Sequence, residues 1–159
     1  MNRPFKALAL AAFALAGILG ATAGQASAAN FNVNFAIKNA DPSASMQRVS
    51  SLPATITGLP NPAGAVGAGA LDPSSGHAVY SDTLPIFGGT PKSVSLVYAN
   101  ALDGVSNQCT FTLKVSKDSN VLPYLLHMTA TGGSCAAPAD ARTIDGQFTS
   151  QVYTFTWAI

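Results

Sequence analysis

From Gln108 to Ser116 the chain reads Q-C-T-F-T-L-K-V-S, and apolar and polar residues alternate without a break. Cys109, Phe111, Leu113 and Val115 fall on one side; Thr110, Thr112, Lys114 and Ser116 fall on the other. A period of two is the pattern of a strand with one face on a core and one face in water. Val94, Leu96 and Tyr98 set up the same alternation just upstream. Between the arms lies Asn100-Ala-Leu-Asp-Gly104, whose Asp103-Gly104 pair suits a turn that needs positive φ. The two arms are read as a hairpin.

The same period recurs at both ends of the domain. Phe31, Val33, Phe35 and Ile37 alternate with Asn32, Asn34, Ala36 and Lys38, and Tyr153, Phe155, Trp157 and Ile159 alternate with Val152, Thr154, Thr156 and Ala158. Leu52–Leu59 is a short strand that Pro53 confines to an edge or a strand start. His77–Ser81 is another strand, and Leu84–Phe87 is a separate apolar segment ended by Gly88-Gly89. Tyr124, Leu126 and Met128 share one side of Val121–Ala130, with Leu125 and His127 opposite, which predicts a strand more buried than its neighbours. Asp41-Pro42 is expected to cap a short helical turn through Met46 and Val49. Residues 60–76 are rich in Pro, Gly and Ala and keep no period, so they are read as a long flexible loop.

Six to eight short strands with Pro/Gly punctuation and no long helix predict an all-β domain. The expected architecture is an antiparallel β-sandwich, immunoglobulin-like or jelly-roll-like, with a small β-barrel as the alternative.

Arg3 and Lys6, the apolar run Ala7–Leu19 and the small residues ending in Ala26-Ser27-Ala28 have the order of a secretory signal peptide over residues 1–29. Cleavage is expected after Ala28 or Ala29. The apolar run is shorter than the roughly 20 residues of a spanning helix, so no membrane insertion is expected after its removal. Residues 30–159 then form a single secreted or periplasmic domain. Without Arg3 and Lys6, 6 basic residues face 7 acidic ones, a net charge of −1. So weak a charge argues against a nucleic-acid partner. In an oxidising compartment the two cysteines, Cys109 and Cys135, are expected to form one disulfide.

Motifs for chemistry are missing from the sequence. It holds no G-x-S-x-G, H-E-x-x-H or EF-hand loop, and the glycines of residues 60–76 lack the Lys-Ser/Thr of a phosphate-binding loop. All seven acids are Asp, most of them beside Pro, Gly or Ser, where turn formation accounts for them. His77 and His127 are the only histidines, and no spacing joins them into a metal site. No cofactor, metal or catalytic residue is assigned. Trp157 and Tyr153 are read as core rather than as a ligand platform.

The expected function is therefore that of an exported non-enzymatic protein acting through surface contacts with a protein or glycan partner. Phe31–Ile37 and the aromatic C-terminal strand resemble the two ends of fimbrial subunits, in which an alternating strand is donated to a neighbour's sheet. The cysteines depart from that family's pattern, since both lie in the last third of the domain. What the resemblance implies is the alternative: a self-assembling surface subunit, hence a homo-oligomer, using strand exchange. A small secreted hydrolase is the third reading.

Overall fold

The computed structural model describes residues 28–85, 89–100, 107–117, 123–143 and 146–158. They form twelve strands and, among the described residues, no helix: β1 (Ala28–Asn39), β2 (Met46–Arg48), β3 (Ile56–Thr57), β4 (Ala65–Val66), β5 (Leu71–Asp72), β6 (Ala78–Pro85), β7 (Lys92–Asn100), β8 (Gln108–Lys117), β9 (Tyr124–Thr131), β10 (Ser134–Ala136), β11 (Ala141–Thr143) and β12 (Gln147–Ala158).

The first sheet has the order β10-β12-β1-β6-β3, with β5 added alongside β1; the second has the order β11-β9-β8-β7-β2-β4. Both sheets are open, so the domain is a sandwich and not a closed barrel. Every pairing is antiparallel except β1 with β12, which is parallel. That register jumps at Val33/Asn34, whose partners are Phe148 and Val152, so residues 149–151 have no counterpart on β1.

Alternation decides which side chains fill the space between the sheets. Phe31, Val33, Phe35 and Ile37 of β1 are fully buried there, facing Leu96, Tyr98, Phe111 and Leu113 from the other sheet. The rings of Phe111 and Phe155 meet across the gap at 5.2 Å between centroids, and Phe31 meets Tyr80 edge-on at the same distance. Trp157, Phe155 and Tyr153 are core residues, as the alternation predicts. Cys109 on β8 and Cys135 on β10 are joined, so the disulfide links one sheet to the other. The bend before Cys135 needs Gly132, whose φ is +105° and whose added Cβ would collide with the Gln108 carbonyl.

Five local expectations differ from the structure. Of Leu52–Leu59 only Ile56–Thr57 is a strand, because only these two residues pair with β6. Asp41-Pro42 starts no helical turn. Asp41 Oδ1 accepts the N–H groups of Ser43 and Ala44 at 2.7 and 2.6 Å, as an N-cap would. The chain then extends into β2, because Met46 and Arg48 are drawn inward and the backbone pairs with β7. Residues 60–76 carry two short strands: β4 pairs with β2 in the second sheet and β5 with β1 in the first. Leu84 and Pro85 end β6 instead of forming a separate segment. β9 is half-buried like its neighbours, with His127 exposed, because the three-residue β11 covers its edge and leaves its outer face in water. The Asp103-Gly104 pair of the expected turn, Ile86, Phe87, Val121 and Ile159 lie outside the described residues, as do residues 1–27 of the expected signal peptide.

Candidate functional site

β4 and β5 are the short strands that residues 60–76 add to the two sheets, and a cleft of about 500 Å³ opens between them. Its walls come from three stretches: Gly58–Pro60, Gly64–Gly67 and Ala70–Ser75. Leu59 and Val66 give it an apolar side. Ser74 and Ser75 are exposed hydroxyl residues, and Asp72, though it borders the cleft, is buried in its floor. β5 holds Asp72 in place through its pairing with Ile37 of β1. β4 is fixed from behind, where Asn39 Nδ2 donates to Val66 O at 2.9 Å.

Beneath the cleft lies a buried polar group drawn from three strands. Tyr98 Oη donates to Asp72 Oδ2 at 2.6 Å. Arg48 is buried beside them and donates from Nη1 to Ser50 O at 3.1 Å and from Nη2 to Pro60 O at 2.7 Å. Arg48 Nε is buried without a hydrogen bond among the described residues. Loss of water raises the Asp72 carboxyl above the usual carboxylate range; the Tyr98 hydrogen bond and the Arg48 charge only partly offset it. Burial, together with the Asp72 charge, pushes the Tyr98 phenol upward, and burial pushes Tyr80 up to about 12.

A second pair lies on the outer face of the second sheet. His127 Nδ1 is 2.6 Å from Asp140 Oδ2, and Met128 N–H donates to Asp140 Oδ1 at 2.9 Å. The hydrogen bond from His127 holds the Asp140 carboxyl below its usual range. Both side chains are exposed, so solvent screens the pair well.

The structure separates the remaining residues singled out by sequence. His77 is exposed just before β6. Asp41 serves the corner after β1, and Asp82 pairs with Lys92 at 3.7 Å. Asp103, Asp118 and Asp145 lie outside the described residues. Ala28 and Ala29 are the first residues of β1, opposite Pro85 and Leu84. Among the described residues no three of His, Cys, Asp and Glu come together as metal ligands. Sequence reasoning treated Asp72 and Asp140 as turn residues and missed their partners. Tyr98 is 26 positions from Asp72, and no local pattern spans that distance.

No protein-family model, curated protein or solved structure matches this chain.

Proposed function

We propose that the protein is an exported, non-enzymatic β-sandwich that works by binding a protein or glycan partner in the cleft between β4 and β5. The observation that carries this reading is the cleft itself. It is built from turns and short strands on a rigid scaffold, the usual setting for recognition. Its lining joins apolar side chains to the exposed hydroxyls of Ser74 and Ser75, a mixture suited to a neutral, polar partner. Ser74→Trp fills the cleft from an exposed position. Ligands from a glycan array and a peptide library are tested by amide shift perturbation. Shifts centred on residues 58–60, 64–67 and 70–75, abolished in Ser74→Trp, support the reading. Binding that maps elsewhere, or that survives the substitution, overturns it.

One observation favours the assembling subunit as a second reading. β1 is the most N-terminal described strand, yet it lies in the middle of its sheet, between β12 and β6. A strand of that kind, donated to another copy, would leave an apolar groove behind it. Deleting Asn30–Lys38 and adding the same segment back as a peptide tests this: restored folding supports donation, and failure to bind the peptide excludes it.

A further inference from the structure

The two sheets have four long margins, and three of them are obstructed. On the first sheet β3 covers Val79 and Tyr80 of β6, and Ser81 N–H donates to Thr55 O. The strand period turns the backbones of Thr83 and Pro85 the same way as that of Ser81. Thr83 N–H is taken by Asp82 Oδ1 at 2.7 Å, and Pro85 has no N–H to offer. On β9, beyond the end of β11, Asp140 takes Met128 N–H. On β12 the uncovered run is broken by residues 149–151 at one end and closed by β10 at the other.

Among the described residues the outer margin of β7 has no such guard along Lys92–Leu96. β2 pairs with β7 only at Tyr98, Ala99 and Asn100. Val97 O accepts Val49 N–H at 2.8 Å and Val97 N–H donates to Ser50 Oγ at 3.1 Å, so the Val97 backbone points outward from β8. The register with β8 runs unbroken from Lys92 to Ala99. Ser95 and Ser93 therefore direct their N–H and C=O groups to the same side as Val97. Among the described residues no strand pairs with that side of Lys92–Leu96. The side chains of both serines are small and exposed on the outer face.

We propose that this slot receives a second copy of the chain, β7 against β7, antiparallel about Val94. In that register Ser93 lies opposite Ser95 of the second copy, and Ser95 opposite its Ser93. These are the residues whose backbone groups face outward, so the two pairs close four N–H···O=C bonds. The slot is bounded by Ser50 at one end and by Pro91 at the other, and the five residues between are the ones that fill the mate's slot. Lys92 meets Leu96 of the second copy, so no like charges are opposed. A chain with 8 basic and 7 acidic residues has little net repulsion to overcome.

Light scattering over a concentration series, with amide exchange measured in parallel, tests the pairing. The mass should climb from one chain towards two. Exchange of the Ser93 and Ser95 amides should slow with concentration, about twofold where half the protein is paired. Ser95→Pro removes one outward N–H without removing a bond to β8, and should stay at one chain throughout. Ser93→Lys with Ser95→Lys sets lysine opposite lysine twice. It should lose the dimer at low salt and regain part of it at high salt, and it decides the matter if the proline variant does not fold. A mass fixed at one chain into the millimolar range overturns the proposal. So does a dimer that persists in these variants.

Discussion

Tyr98 donates a hydrogen bond to Asp72 across the sandwich, from β7 in one sheet to β5 in the other, at 2.6 Å. It is the polar counterpart of the disulfide, since each fastens the two layers at one place. The bond also decides how the cleft is floored, because Asp72 is both its acceptor and a cleft residue.

Tyr98→Phe keeps the ring in the core and removes only the donor. Asp72 is 3% exposed, so water does not replace the lost bond there. The expected cost is about 1–3 kcal/mol, that of leaving a buried acceptor unpaired. Denaturant unfolding should show a lower midpoint with an unchanged slope. An unchanged midpoint would mean that the Tyr98 hydroxyl contributes nothing to stability.

Burial raises the Asp72 carboxyl in the folded state above the ordinary value of 3.8. The folded protein therefore holds this proton more tightly than the unfolded chain does. The stability so gained is fully present below pH 3.8 and is lost as pH rises through the higher folded value. Asp72→Asn removes the titration and keeps an acceptor for Tyr98. The wild-type stability curve should fall relative to that of the variant across this window, and parallel curves would contradict the assignment.

The period of two made the long strands readable, because burial on one face imposes it along Ser93–Tyr98 and Gln108–Lys117. It could not reveal β4 and β5. Two residues carry no period, and these strands exist only because β2 and β1 offer them ladders. Nor could it show that Met46–Arg48 is a strand, since Asp41 makes the same hydrogen bonds whether a helix or a corner follows. The cleft was hidden for the same reason. Asp72, Tyr98 and Arg48 meet through sheet topology, and each looked ordinary in its own stretch of sequence.

The Cys109–Cys135 bridge closes a loop with a sequence separation of 26 and joins opposite sheets. On the chain-entropy argument its removal costs about 3–4 kcal/mol. Cys109→Ala with Cys135→Ala, or reduction of the native protein, should lower the thermal midpoint, and reductant should leave the double variant unmoved. A wild-type midpoint insensitive to reduction would show that the bridge does not constrain the unfolded chain.

Asp140 holds His127 and, through its other oxygen, Met128 N–H at the margin of β9. Its carboxyl is lowered in the folded state, so its contribution is present above pH 3.8 and fades as pH falls through the folded value. In Asp140→Asn the acid limb of the stability curve should flatten. Asp140→Ala should in addition speed exchange at the Met128 amide, because that N–H then faces water. Unchanged exchange in the alanine variant would show that the carboxylate is not its partner in solution.

Asn39 fastens the corner through which β1 leaves its sheet. It is fully buried. Its Nδ2 donates to Ala44 O at 2.8 Å and to Val66 O at 2.9 Å, and its Oδ1 accepts Asp41 N–H at 3.0 Å. Its own N–H and C=O bond to Ala70 and Gly69. For β1 to leave its own sheet this corner must open, so the network opposes strand exchange. Asn39→Ala should lower stability by about 1–3 kcal/mol for each buried group left unpaired. It should also loosen β4 and β5 together, read as faster exchange at the Gly69 and Ala70 amides. If β1 is exchangeable, this variant should form swapped dimers on refolding at high concentration while the wild type does not. Refolding to one chain in both would show that the apolar face of β1, not its corner, keeps the strand at home.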